Sequence, residues 1–502
     1  MTKYILKKDD CIYSNYNTKK KRIDKLNELK EIMKSNPEYG HKIYFVGYGS
    51  IGKPILILLL QICNINASNI ILIDERPITV NVPDGIIIKD NLKITKQNYK
   101  IIFSDLSEND IIIDACYSID TLDIIELCQL KGASYINSCI DVWNYKEITS
   151  PIEYSLKYRH DILDKYNESL SIKNFNSIIS MGCNPGCVSI WVKIGIIELW
   201  KRKKNNDDYQ NKTFAQMAHE LGIQTIHISE RDTQISNIKK KQNEYCNTWS
   251  KYAESYYEEL LGCVEASWGT HENQNYYNMN IINYNNGNNY LIWKKIGAYV
   301  NAQSWVPIYG RYIGNIIRHD EAYTIGRNLT IKNIYNPSVY YVYHPTDDTM
   351  MSVHELKEKN HNYQDNVRLL TNDIIDGQDI LGLTFYLDDG TTYFTGSLLD
   401  INEARKILDN KYNEFVNATN IQVCAGYLSG IITIMKLNYQ NKKMGLMCPD
   451  DLPYNELINI QLPFIGNFIF IEGDNQLLKS NNYFNEPLIK LNTWTFDNFL
   501  IQ

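Results

Sequence analysis

At 502 residues the chain is too long for one small core and should hold two or three domains. It is 44% hydrophobic and 22% charged, a globular rather than a disordered composition, and its net charge of −7 argues against a nucleic-acid partner while suiting a cationic ligand. The 11 cysteines are scattered rather than packed as in a secreted disulfide scaffold, the first residues (MTKYILKKDDC) show no signal-peptide pattern, and no apolar run reaches the roughly 18–20 residues of a spanning helix. A reduced, cytoplasmic protein without a membrane partner is the expectation.

Residues 1–40 read as a polar, lysine-rich N-terminal arm. A charged helix is expected over Lys19 to Lys34, with Ile23, Leu26, Leu29 and Ile32 at helical spacing. Residues 41–185 alternate strand and helix patterns. The pattern opens with Ile43 to Val46, a short apolar strand, followed by Gly47, Gly49 and Gly52 in G-x-G-x-x-G spacing and an apolar helix from Ile55 to Ile62. This is the arrangement of a dinucleotide-binding βα turn. Gly47 makes the turn, Gly49 admits the pyrophosphate, Gly52 packs the helix on the strand, and the amides of Ser50 and Ile51 face the phosphate charge. A second strand, Asn69 to Asp74, ends in an acid about 20 residues further on, where it would hold the adenosine ribose of NAD. Arg76, close by, is the feature that would suit a 2′-phosphate instead.

Further strands are expected at Gly85–Lys89, Lys100–Phe103, Asp110–Cys116, Ser134–Ile140 and Ser177–Met181, with a helix at Asp123–Gly132. Such alternation predicts a Rossmann-type, doubly wound parallel sheet, with ligands beyond the carboxyl ends of its strands. That rim carries Ser118 to Asp120, Asp141 to Trp143 and Gly182 to Gly186, so Ser118 and Asn184 join the expected cofactor contacts. The Asn184-Pro-Gly186 turn is the best domain boundary. Residues 186–420 read as a second α+β domain, for substrate binding and dimerisation, with a mainly antiparallel sheet rich in Tyr, Asn and Trp. Residues 421–502 read as a helical segment and tail packing back on the first domain.

Acidic residues cluster beside indoles. Asp141 precedes Trp143, Glu230-Arg231-Asp232 follow the strand 224–229, and Glu254, Glu258 and Glu259 lie on the turns after Trp249. Carboxylates beside a Trp face make a cage for an alkyl ammonium, through charge-assisted hydrogen bonds and cation–π attraction. From composition alone, surface acids and strand-end ion pairs explain the same residues. Cys183 and Cys187 lack a partner pair for a metal, and His344 and His354 with Asp347 and Asp348 read as a folded loop, so no metal is expected. Trp268 and Trp305 read as core or lid residues, and Asp450-Asp451 as surface.

The strings GYGSIG (47–52), YSIDT (117–121), IDVW (140–143), CNPGCVS (183–189), HISERDTQ (227–234), NTWS (247–250), SWGTHE (267–272), RHDEAYTI (318–325) and YHPTDDTMMSVHE (343–355) together resemble the NAD-dependent homospermidine synthases, relatives of the saccharopine dehydrogenase group. The resemblance covers nearly the whole chain except the N-terminal arm. It implies a homodimer, NAD as cofactor, and conversion of two putrescines, or of spermidine plus putrescine, to homospermidine without net redox change. Under it Trp249 is the pocket tryptophan, Glu230 and Glu259 hold ammonium ends and relay protons, and Asn184 lies between nicotinamide and substrate. His319 and Glu321 form the far wall, with His319 read as a proton shuttle from its ordinary pKa near 6.5, and Asp120 marks the entrance. Asp141 departs from the family, which carries Glu there. The alternatives are a dehydrogenase of the saccharopine or carboxynorspermidine type with net NAD(P)H turnover, which needs an Arg clamp for an α-carboxylate, and a non-catalytic polyamine-binding protein.

Overall fold

The computed structural model describes residues 19–79, 82–204, 208–250, 259–273, 280–283, 287–408, 410–473 and 494–501. Glu254 and Glu258 fall outside this set.

Two sheets organise the chain. The first is parallel and seven-stranded. Its strands are β1 (Ile43–Val46), β2 (Ile70–Ile73), β3 (Ile87–Lys89), β4 (Ile111–Asp114), β5 (Ser134–Ile136), β6 (Asn176–Ile178) and the late strand Gly445–Met447. The spatial order is Gly445–Met447, β6, β5, β4, β1, β2, β3, so the chain reverses direction at β1 and β4, the switch point where such sheets bind ligands. β1, β2 and β4 are buried throughout, as their nearly unbroken apolar and aromatic runs suit a sheet covered on both faces.

The second sheet is mixed and eleven-stranded. At its centre lies β7 (Ile223–Asp232), which pairs in parallel with Ser338–His344 and antiparallel with Gln378–Leu387. Glu230, Arg231 and Asp232, expected to follow the strand, are its last three residues and are all buried. Neighbouring strands on both sides satisfy the backbone there, so the ladder continues through the charged residues. Trp268 and Trp305 belong to the core of this sheet, Trp268 meeting Phe496 at 5.6 Å.

Several local expectations change. The segment 100–103 is part of a helical turn, Tyr99–Ile102, rather than a strand. Tyr99 and Phe103 are buried four residues apart while Ile101 is 74% exposed, so the helical period wins in a short apolar run. In the first helix (Lys19–Ser35), Leu26 and Met33 are buried and Ile23 and Ile32 exposed; the buried Arg22 pairs with Glu403 at 2.6 Å. Asp450 is buried rather than on the surface.

The C-terminal part serves both sheets. Its helix Ala418–Tyr439 has the length and composition of a membrane span, yet 89% of the apolar window is buried inside the fold, which makes it a core helix. Gly445–Met447 then joins the first sheet, and Asn467–Glu472 and Leu500–Ile501 join the second. The stretch 421–502 therefore does not pack on the first domain alone. Trp494, Phe496 and Phe499 fill the second core, where Trp494 Nε1 donates to Leu387 O at 2.6 Å.

Candidate functional site

The loop after β1 is built for close approach. Gly47 has φ +92°, and a Cβ there would lie 2.6 Å from the Ala115 carbonyl oxygen. A Cβ on Gly52 would meet the Gly47 oxygen at 2.0 Å, which locks the helix Gly52–Ile62 against the turn. A Cβ on Gly49 would meet nothing within 4 Å, so that residue faces open space at the helix start. Asp74, just past β2, is buried. Its carboxylate accepts from Tyr48 N at 2.7 Å and from Arg76 N at 2.9 Å, and it lines a cavity of about 190 Å³ with Gly49, Ser50, Lys53 and Arg76. These residues fit a dinucleotide, whose adenosine end Asp74 would hold and whose pyrophosphate the Gly49–Ile51 loop would hold.

From the same loop a second cavity of about 250 Å³ runs between the sheets. Gly49, Ser50, Ile51, Asp141 and Asn184 line it from the first domain, and Glu230, Trp249, Glu259 and His319 from the second. The Ser50 hydroxyl donates to the Trp249 carbonyl oxygen, tying the dinucleotide loop to the tryptophan loop. That loop is held by Asn247, whose Oδ1 accepts from Trp249 N at 2.9 Å and Ser250 N at 2.7 Å.

Glu230 points from β7 into the cavity wall, where Asn184 Nδ2 and the Tyr341 hydroxyl each donate to its Oε2 at 2.7 Å. Burial raises its pKa to about 8; the two hydrogen bonds oppose this and Asp232 adds to it. His319 sits between two carboxylates, with Nε2 3.1 Å from Glu259 Oε1 and Nδ1 3.3 Å from Glu321 Oε1. Burial works against its charge, but Glu321 and Glu259 overcome it and lift the pKa to about 10. The imidazole is thus held as a cation at neutral pH, which corrects its reading as a shuttle poised near 6.5.

Asp141 is buried with its carboxylate engaged: Oδ2 accepts from Ser118 N at 2.8 Å and Oδ1 from the Tyr145 hydroxyl. Arg159 donates to the same phenol at 2.6 Å. Ser118 adopts φ +66°, and its amide is used on Asp141. Six predicted site residues do not line this cavity: Gly47 and Gly52 shape the turn before it, Asp74 lines the neighbouring cavity, and Ser118, Glu321 and Asp120 stand apart. Ser118 acts through Asp141. Glu321 lies behind His319. Asp120 is the N-cap of the helix Thr121–Lys131, accepting from Asp123 N at 3.1 Å, so helix capping accounts for its position.

Sequence reasoning missed Tyr341, Tyr145, Thr419 and Asp379. Asp379 and Asp232 are directly opposite in the ladder between β7 and Gln378–Leu387, and both are fully buried. An acid directly before the largely apolar run Ile380–Leu387 is the signal that would have found it. Among the described residues no group of three or more potential ligands could hold a metal ion.

Residues 43–170 match the saccharopine dehydrogenase NADP binding domain family. The homospermidine synthase of Mesorhizobium japonicum is 27% identical over 489 residues, 93% of this chain and 98% of that protein. The homospermidine synthase of Blastochloris viridis is 27% identical over 478 residues, 92% of this chain and 97% of that one. Among solved structures, the homospermidine synthase of Legionella pneumophila in complex with NAD superimposes with a TM-score of 0.82 at 30% identity, covering 93% of this chain and 99% of that one. With near-complete coverage in both directions and the dinucleotide loop opening onto a carboxylate-lined cavity, the chain belongs to the homospermidine synthase family.

Proposed function

We propose that the protein joins two putrescines into homospermidine with release of ammonia, or transfers the aminobutyl group of spermidine to putrescine with release of diaminopropane. The observation that carries this reading is one continuous cavity lined both by the glycine loop and by Glu230, Glu259 and Trp249. The glycine loop and Asp74 would hold NAD, which when bound would supply a hydride acceptor and donor at the amine carbon. Glu230 and Glu259 bind ammonium groups, and the Trp249 face stabilises the cationic carbon–nitrogen species by about 0.5–2 kcal/mol. Asn184 orients Glu230 from the cofactor side. His319, held charged, fixes Glu259 rather than moving protons. The enzyme acts as a cytoplasmic homodimer.

A net dehydrogenase acting on an amino acid would need an arginine for the α-carboxylate. Of the cavity's arginines, Arg76 stands beside Asp74 at the dinucleotide loop, and Arg318 donates to the Tyr154 carbonyl oxygen at 2.8 Å and lies 3.9 Å from Glu265, which favours the amine-only reading. Incubation with NAD and isotope-labelled putrescine tests the choice. Labelled homospermidine without accumulated NADH is expected; NADH without homospermidine would reverse the assignment in favour of a dehydrogenase.

A further inference from the structure

Two carboxyls of the cavity stand in unlike surroundings. Glu230 accepts from the Asn184 amide and the Tyr341 phenol, and burial lifts it to about 8, so it can take and give a proton near neutral pH. Asp141, which lines the same cavity, has a cation behind it. Its Oδ2 accepts from Ser118 N at 2.8 Å and its Oδ1 from the Tyr145 hydroxyl, while Arg159 Nη1 donates to the Tyr145 oxygen at 2.6 Å. Donor count fixes the direction of this relay. A guanidinium has no acceptor, so the phenol oxygen must accept from Arg159 and has one proton left to give. Ile140 O, 3.3 Å from the phenol, is neutral and already takes Arg159 Nη1 at 3.2 Å. Asp141 Oδ1 is nearer and charged, so the proton points there.

A phenol bound to a cation is a stronger donor, and a hydrogen bond to the ionised form holds a carboxyl ionised. The phenol itself is held from several sides. Its ring lies 4.4 Å from the buried Arg159 guanidinium, stacks on Tyr117 at 5.9 Å with planes 11° apart, and meets Tyr154 edge-on at 5.9 Å. Arg159 comes from the helix Leu156–Ser169, Tyr145 from the short turn Tyr145–Glu147 and Ser118 from the loop after β4, so three separate segments converge on one carboxylate. The other titratable or charged groups around Asp141 are Cys116, with Asp114 and Cys139 beside it, and Glu265, which adjoins Arg159 and Arg318. Along the cavity they are Glu230, Glu259, Arg76, Arg318, His319 and Asp320.

We propose that Arg159 and Tyr145 are positioning residues for this reaction: acting through Asp141, they keep that carboxyl an anion throughout the turnover, set to hold the cationic nitrogen species formed in the cavity, and leave proton exchange to other groups. Neither residue needs to touch the substrate for this. Arg159 polarises the phenol, the phenol donates to Asp141, and Ser118 N fixes the second oxygen, so the carboxylate can neither turn away nor easily take a proton. The inference rests on the homospermidine synthase reading and names the residues that separate a fixed anion from a proton-accepting carboxyl within its one cavity.

The test uses the full chain with NAD and putrescine. Tyr145→Phe removes the hydroxyl and keeps the ring, Arg159→Gln removes the cation, and Arg159→Lys keeps it. Losing one hydrogen bond to the charged form raises the pH at which the carboxyl takes up a proton by about one to two units. In Tyr145→Phe and Arg159→Gln, kcat/KM should therefore fall about tenfold at pH 6 and stay within about threefold of wild type at pH 9, with Arg159→Lys in between. In an Asp141→Asn background Tyr145→Phe should change kcat/KM by less than about twofold, because no charge is left to hold. Where that background turns over too slowly, calorimetric Kd values for putrescine complete the cycle. A Tyr145→Phe loss of equal size at pH 6 and pH 9, or one undiminished beside Asp141→Asn, would make the phenol a structural or substrate-contacting group and overturn the inference, as would unchanged kinetics. Should the Arg159 variants fail to fold, Tyr145→Phe and its cycle carry the test. Wild-type protein that makes no homospermidine overturns the reaction itself, whereas wild-type product with unaffected variants overturns the positioning role alone.

Discussion

Asn184 and Glu230 join the two sheets through one hydrogen bond, Nδ2 donating to Oε2 at 2.7 Å. The loop that ends the first domain thereby aims a carboxyl that lines the shared cavity. Glu230→Gln keeps the shape and removes the charge. Losing a charge-assisted bond costs about 1.5–3 kcal/mol, so KM for putrescine should rise roughly 10- to 150-fold. Steady-state kinetics and calorimetry of diamine binding check this; an unchanged KM would remove Glu230 from the ammonium site.

Trp249 packs edge-on to Tyr343, with ring centroids 5.9 Å apart, and is only half-buried. Its loop is held mainly through backbone atoms, so removing the ring should hurt chemistry more than folding. Trp249→Ala should lower kcat by ten- to thirtyfold with a small change in Tm, and Trp249→Phe should recover most of it. Calorimetric melting beside product formation separates the two effects.

Asp141 is committed to Ser118 N and the Tyr145 hydroxyl, so the shorter acid is matched to its surroundings. Asp141→Glu, the residue that the family resemblance implies here, moves the carboxylate one methylene away from two partners it already matches. Each hydrogen bond lost costs about 0.5–1.5 kcal/mol, and the variant should melt lower and turn over more slowly. Tyr145→Phe combined with Asp141→Glu should regain part of the loss. Activity above wild type in Asp141→Glu alone would contradict the geometry.

Glu230 and His319, both lining the cavity, bind protons more tightly in the folded state. Glu230 rises from 4.5 to about 8 and His319 from 6.5 to about 10. The contribution of Glu230 is complete below pH 4.5 and lost as pH rises through 8; that of His319 is complete below 6.5 and lost through 10. The ligand-free protein should therefore lose stability between about pH 7 and 10, and Glu230→Gln should flatten the earlier part of that decline. Melting curves across this range are the measurement. Diamine binding near pH 7 should also release a proton from Glu230, seen as a buffer-dependent enthalpy.

Asp74 accepts from both Tyr48 N and Arg76 N while lining the cavity beside the glycine loop. Asp74→Ala should weaken NAD and narrow its margin over NADP, since Arg76 stays in place. Titrations with both cofactors decide this; an undiminished preference for NAD would assign selectivity elsewhere.

The sequence displays these features unevenly. The glycine loop and β2 are local patterns, because a βα turn and an unbroken apolar strand state their geometry within a few residues. Trp249, Glu259 and His319 reach one cavity only through the second sheet, and motif resemblance rather than periodicity linked them. Asp379 stayed hidden because its partner, Asp232, is almost 150 positions away and only strand register brings them together. His319 was misread in its charge state for a similar reason: an ordinary imidazole becomes a fixed cation once Glu259 and Glu321 close on both ring nitrogens. The engagement of Asp141 with Tyr145 arises from a short 3₁₀ segment, Tyr145–Glu147, that no apolar period marks.

The course of the C-terminal stretch bears on how the molecule can be taken apart. A fragment ending near residue 185 would lack the edge strand Gly445–Met447 and the helix Ala418–Tyr439, leaving β6 without its outer neighbour. A fragment beginning there and stopping before 460 would lose Asn467–Glu472 and the aromatic plug of Trp494, Phe496 and Phe499 from the other sheet. Neither half is a transplantable module. Cofactor site and amine site are sewn together by one thread, so recombining this protein with relatives by swapping halves should succeed only when the late strands travel with the sheet they complete.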